Sequence, residues 1–143
     1  MIDIQKERVH QFLQNHSLCV VSLVDNHGQP ISALVEFVVD NDLNLYFGTN
    51  RKFRKAKALE NSKVVSVVVG GREDACVQMQ TYSQKLIKDE NKKCKDKLVS
   101  RLQKNYFPII PEDDFIFFKL TTNWVRYTDV SVMPWNVYEL DLQ

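Results

Sequence analysis

The sequence predicts a mainly β fold: an antiparallel barrel, closed or nearly closed, with a few helices set between its strands. Three observations carry that expectation. Short apolar, β-branched runs recur along the chain, and turn residues separate most of them at hairpin spacing. Helical periodicity is limited to a few stretches. The order lacks the regular strand–helix alternation of a parallel sheet.

The elements follow in order. Asp3 is placed to cap a first helix, whose Ile4, Val9, Phe12 and Leu13 fall roughly on one side. "SLCVVSLV" (17–24) is apolar and β-branched, the first strand. "DNHGQP" (25–30) supplies Asn, Gly and Pro for a turn, and "ISALVEFVV" (31–39) reads as a second long strand. "DND" (40–42) is a tight turn before a third strand, "LNLYFG" (43–48). "RKAKALEN" (54–61) holds good helix formers. "KVVSVVV" (63–69) and "ACVQMQTY" (75–82) are strands four and five, joined by "GGRED" as a hairpin turn. From Gln84 to Asn105 the chain is charged and helical, with Ile87, Cys94, Leu98 and Leu102 as its apolar stripe. "FPIIP" (107–111) breaks it. "FIFFKL" (115–120) and "WVRYTD" (124–129) predict two more strands, and "PWNVYELDL" (134–142) closes the chain. No repeat, low-complexity segment or linker interrupts this order, so one domain over 1–143 is expected.

Composition excludes several classes. The 143 residues are 44% hydrophobic and 26% charged, with a net charge of only +1, which argues against a generic polyanion binder. No apolar run has the length of a membrane span, and the N-terminal run has no small-residue cleavage site after it. Cys19, Cys76 and Cys94 are odd in number and widely spaced, which disfavours a disulfide framework or a zinc site and fits a reducing cytoplasm. His10, His16 and His27 make no metal-binding spacing. Only four glycines are present, and none forms a Walker or G-x-G-x-x-G loop. No nucleic-acid, membrane or metal partner is expected.

One stretch departs from this neutrality. Arg51, Lys52, Arg54, Lys55 and Lys57 place five cations in seven positions. Positive side chains are slightly unfavourable in the first turn of a helix. Arg54 and Lys55 stand there, and a bound phosphate would account for them: Arg offers a bidentate grip, Lys a point charge. A solvated helix start is the other reading, and it suits Lys52 and Lys57. The run of eight bases against three acids between 85 and 104 reads as a solvated face, because no aromatics are interleaved for base stacking.

The text around this cluster resembles the pyridoxamine 5'-phosphate oxidase-like, FMN-binding split-barrel superfamily, in particular its general-stress-protein branch. The likeness runs from about Leu18 to Gln80. "GQPISALVEF" (28–37) matches the family's stretch after the first hairpin turn. "YFGTNRKFRKAKALEN" (46–61) carries the T-x-x-x-x-R-K-A core. "WVRYTD" and "PWNVYEL" add weaker support. The resemblance implies an antiparallel split β-barrel with flanking helices, a homodimer, and two FMN sites at the subunit interface.

It also implies residue roles. Arg54 and Lys55 occupy the positions that grip the FMN phosphate. Gly48 and Thr49 match the strand end near the flavin, with Asn50 a polar neighbour. Val35, Glu36 and Phe37 match the strand that runs along the isoalloxazine ring. Gln78 lies two residues from Cys76, where the oxidases put a flavin-contacting Gln, and on the same strand face. Trp124, stacking near the ring, and Arg126 and Tyr127, meeting an anionic substrate, would line the pocket from a late strand; a Trp/Tyr core pair beside a surface Arg is the alternative.

The departures bear on activity. Phe53 stands where the family has a hydroxyl, Ala33 where the oxidases have a phosphate-binding Arg, and Val38 where they have a substrate-gripping Lys. Thr81 replaces a common Gly, and the C-terminal Arg-Leu-x-Pro signature is missing. These argue against pyridoxamine phosphate oxidation. The expected function is an FMN-dependent oxidoreductase of unassigned substrate, taking hydride from NAD(P)H or another small molecule, with no residue presenting itself as an indispensable acid or base. The alternatives are a non-catalytic flavin carrier or sensor, or a stress-related interaction module on the same fold.

Overall fold

The apolar, β-branched runs form strands whose residues are buried in alternation, as at Leu18–Val24 and Val64–Gly70. The structure, a computed structural model, describes residues 3–71, 74–87, 89–105 and 114–143. Their order is α1 (Ile4–Gln14), β1 (Leu18–Val24), β2 (Pro30–Glu36), β3 (Val38–Val39), β4 (Leu45–Asn50), α2 (Arg54–Leu59), β5 (Val64–Gly70), β6 (Ala75–Lys85), α3 (Lys92–Asn105), β7 (Phe115–Asp129) and β8 (Asn136–Asp141). The strands lie in the order β2-β1-β5-β6-β7-β4-β3, all pairs antiparallel, with β8 added beside β7.

The two ends of that order are one stretch of chain. Only Phe37 separates β2, which pairs with β1, from β3, which pairs with β4. The bend at Phe37 therefore returns the sheet to its start and makes it a barrel. A break in a strand leaves a carbonyl without its ladder partner. Arg101 of α3 supplies one, its Nη1 donating to the Phe37 carbonyl at 2.7 Å. The barrel splits along β7: residues 115–120 pair with β4, whereas 124–129 pair with β8.

The structure corrects several expected boundaries. The two strands read at 115–120 and 124–129 are one. Asn123 is an extra residue there, because β6 pairs Gln80 with Trp124 and Thr81 with Thr122; such a bulge bends a strand without ending it. The helix read from Gln84 begins only at Lys92, since Gln84 and Lys85 still pair with Lys119 and Phe118. Cross-strand pairing outweighs helix propensity there. β4 extends two residues past Gly48, to Asn50. Of the "GGRED" turn, positions 72 and 73 lie outside the described residues, as does all of "FPIIP".

Inward-facing Val21, Val67, Val77, Met79 and Val125 fill the barrel with Leu45 and Phe47. Helix α1 adds Val9, Phe12 and Leu13 to that core, and α2 adds Ala58 and Leu59. On the outside of β3 and β4, α3 packs Leu98 and Leu102 against Val38, Tyr46 and Leu86. Gly70 lets β5 meet α1. It has φ +81°, and a Cβ there would lie 2.5 Å from Phe12 Cζ and 2.7 Å from the Ala75 carbonyl. Gly70→Ala combines a left-handed backbone with a clash against a fixed carbonyl, so it should cost about 2–4 kcal/mol of stability. The shift in urea midpoint reads this; a change below about 0.5 kcal/mol would refute the packing account.

Candidate functional site

The turn between β1 and β2 is built by Asp25. Its Oδ1 accepts the backbone N–H groups of His27 and Gln29 at 2.8 and 2.9 Å, the local side-chain bonding that makes Asp a turn former. Its Oδ2 accepts from Arg54 Nη2 at 2.8 Å. The Asp25 side chain is only 9% exposed, the Arg54 side chain 67%. A second bond, Asn61 Nδ2 to Asn26 Oδ1 at 2.9 Å, ties the far end of α2 to the same turn. An open groove of about 430 Å³ lies here, lined by Val24, Asp25, Asn26, Asn61 and Ser62.

The Arg54 hydrogen bond is the largest cause holding the Asp25 carboxyl down at about 2, helped by the Gln29 and His27 amides. The folded value lies below the ordinary 3.8. The stabilisation is therefore complete above about pH 5 and is lost as pH falls through 4 toward 2. Asp25→Asn should flatten the acid-side fall of stability in that window, as read by urea titrations from pH 5 to pH 2. An unchanged profile would mean the pair contributes nothing to folding.

Lys55 stands beside Arg54. Burial lowers its pKa, and its Nζ lies 4.9 Å from the centre of the Phe53 ring. Phe53 is the residue before α2 and offers no side-chain hydrogen bond to cap it; its ring is 54% exposed. Arg51, Lys52 and Lys57 are exposed, so Arg54, by its ion pair, and Lys55, by its partial burial, stand apart from the other three cations.

Other predicted residues take varied places. Thr49 is 3% exposed, and its Oγ1 has no hydrogen-bond partner among the described residues. Asn50 turns the chain toward α2, its Oδ1 accepting Lys52 N–H at 2.9 Å. Gly48 is explained by packing: a Cβ there would lie 2.8 Å from Phe117 Cε1, so the Phe117 ring lies against it. Val35 and Phe37, on the strand that the resemblance sets along the ring, turn their side chains into the barrel core. Glu36 is also buried.

The face of the barrel away from the core is unusual. Register aligns Leu34, Val20, Val68, Gln78, Arg126 and Glu139 in one row across five neighbouring pairs. The next row is Ser32, Ser22, Ser66, Gln80, Trp124 and Asp141, with Ser22 Oγ 2.9 Å from Ser32 Oγ. Leu18, Val24, Val64 and Tyr82 are exposed too. Gln78, Trp124 and Arg126 are thus brought together, as expected, on a face that begins beside Asp25, the residue after β1. Tyr127 is not among them. Strand alternation turns it inward, where it stacks on Tyr138 at 5.2 Å and meets Phe12 edge-on at 5.9 Å. Its expected role in substrate binding is corrected to core packing.

Of the cysteines, Cys19 is buried and its thiol pushed up to about 12 by that burial, inert as a nucleophile. No described helix is long and apolar enough to cross a membrane. Sequence reasoning missed Asp25. The Asx turn was legible in "DNHGQP", but its Arg54 contact spans 29 residues and has no local signature.

The donor set fits an anionic phosphate: an oriented guanidinium with further N–H groups and, next in the chain, a partly desolvated ammonium. Known proteins agree in architecture. The general stress protein 26 of Bacillus anthracis str. Sterne is 22% identical, with 95% of this chain and 98% of that one covered at a TM-score of 0.71. A pyridoxamine 5'-phosphate oxidase-related, FMN binding protein of Nostoc punctiforme superposes at 0.69, 13% identical, covering 96% and 86%. A heme binding protein of Mycobacterium smegmatis reaches 0.77 at 13% identity, covering 99% of this chain and 60% of that one. At these identities the likeness is one of fold, the split barrel. No curated sequence matches significantly. The family model for pyridoxamine 5'-phosphate oxidase matches residues 5–129, and with the barrel and its Arg54–Lys55 pair in place, the chain belongs to that family.

Proposed function

We propose that this protein binds FMN as a homodimer and uses it for hydride transfer from a reduced nicotinamide or another small molecule. The observation that carries this reading is the Arg54–Lys55 pair: one guanidinium oriented by Asp25 yet two-thirds exposed, beside one ammonium partly stripped of water. A phosphate would take the outward donors of Arg54 and restore to Lys55 the counter-charge its burial withholds. The apolar and small-polar sheet face next to this pair suits a flat ring, with the Gln78 and Gln80 amides and the Trp124 indole as its contacts. A bound flavin supplies the redox chemistry itself.

The same face supports the homodimer. A sheet packed on one side normally shows water a polar alternate face, whereas Leu34, Val20 and Val68 lie side by side and exposed here. A second copy would cover them and enclose the ring. The free cysteines suit a cytoplasmic setting.

Absorbance of the purified protein tests the reading. Flavin bands, or a thermal shift on adding FMN, are expected; no colour and no shift would sink it. A heme-type band instead would move the chain toward the activity named for the Mycobacterium smegmatis relative. Anaerobic bleaching of the flavin by NADH or NADPH is the expected sign of an enzyme. Binding without bleaching by either would favour a carrier or sensor.

A further inference from the structure

We propose that Asp25 is a positioning residue for the phosphate of the bound flavin, acting through Arg54; the inference rests on the FMN reading above. The carboxylate is the fixed member of the pair. Two turn amides hold its Oδ1 at 2.8 and 2.9 Å, and the side chain is 9% exposed. Arg54 is the long, mostly exposed member. A surface arginine samples many rotamers and loses that freedom when it binds. The 2.8 Å bond from Nη2 to Asp25 Oδ2 removes much of that freedom beforehand. It occupies one of five N–H donors and leaves the others for a ligand.

The opposite role, a carboxylate that competes with the phosphate for Arg54, fits the geometry less well. A competitor must be able to release, and Asp25 is locked into its own turn. Its charge is already compensated by the Arg54 guanidinium 2.8 Å away, which reduces its repulsion of the phosphate. Asn61, bonded to Asn26, clamps the other end of α2 to the same turn.

The test measures FMN and riboflavin affinity for the natural chain, Asp25→Asn, Arg54→Ala, the double variant, Arg54→Lys and Lys57→Ala. Riboflavin has the ring but no phosphate. Asp25→Asn should weaken FMN about 10-fold, a typical loss for one charge-assisted contact, and leave riboflavin unchanged. In the Arg54→Ala background it should do nothing further, since coupled residues are non-additive. Arg54→Lys keeps the charge but not the fork, so it should lose nearly as much as Arg54→Ala; this arm stands even if Asp25→Asn folds poorly. Lys57→Ala, at an exposed cation on the same helix, should change FMN affinity less than about 2-fold.

The proposal is overturned if Asp25→Asn binds FMN as well as or better than the natural chain, or weakens riboflavin equally. It is also overturned if the loss persists in the Arg54→Ala background, or if Arg54→Lys is neutral. If the natural chain binds FMN with these outcomes, only the role of Asp25 fails. If it binds neither flavin, the FMN reading fails and this inference with it.

Discussion

Replacing Arg54 and Lys55 together by alanine is expected to weaken FMN binding by roughly 10²–10³-fold, against less than about 3-fold for Lys52→Ala. The contrast follows from where the cations stand. Lys52 is exposed, and only its backbone N–H is engaged, by Asn50. An exposed charge of that kind contributes through water and is screened by salt. Arg54 is oriented by Asp25, and Lys55 is partly buried against Phe53, so on the proposed reading each would make a directed, charge-assisted contact. Fluorescence titration of FMN at two salt concentrations checks it. Equal losses for the pair and for Lys52 would mean that the cluster acts as diffuse charge.

The second large effect is on assembly. Val68→Asp should weaken dimerisation by at least about 100-fold, because a carboxylate caught in an apolar interface leaves an uncompensated buried charge. Val68 lies on β5 between Val20 and Gln78 and is 39% exposed, so the isolated chain tolerates the change. The variant should therefore keep its circular dichroism spectrum and sediment as a monomer at micromolar concentration. A Val68→Asp dimer as tight as that of the natural chain would place the interface elsewhere.

Much of this was legible in the residues, and what was not has a physical reason. The apolar, β-branched runs "LCVVSLV" and "VVSVVV" announce strands, and both appear in place. Barrel closure depends on a bend at Phe37 whose carbonyl is satisfied by Arg101, 64 residues away; no local pattern encodes that. "TTN" at 121–123 looked like a break between two strands, yet one bulged residue keeps β7 continuous. For Tyr127 the core alternative holds, and parity could have decided it: Trp124 and Arg126 outward require Val125 and Tyr127 inward. Arg54 and Lys55 stood out by their motif. Gly48 fits the same motif, but the Phe117 ring across β4 gives it a packing role.

The central claim joins the phosphate pair to the bare sheet face in one FMN-binding dimer. Sedimentation velocity of the natural chain with FMN, monitored both at 280 nm and in the flavin band, tests it most directly. The predicted result is one species at twice the 16.7 kDa chain mass, with flavin absorbance moving in the same boundary. A species at 16.7 kDa, with the flavin left unsedimented, would contradict it.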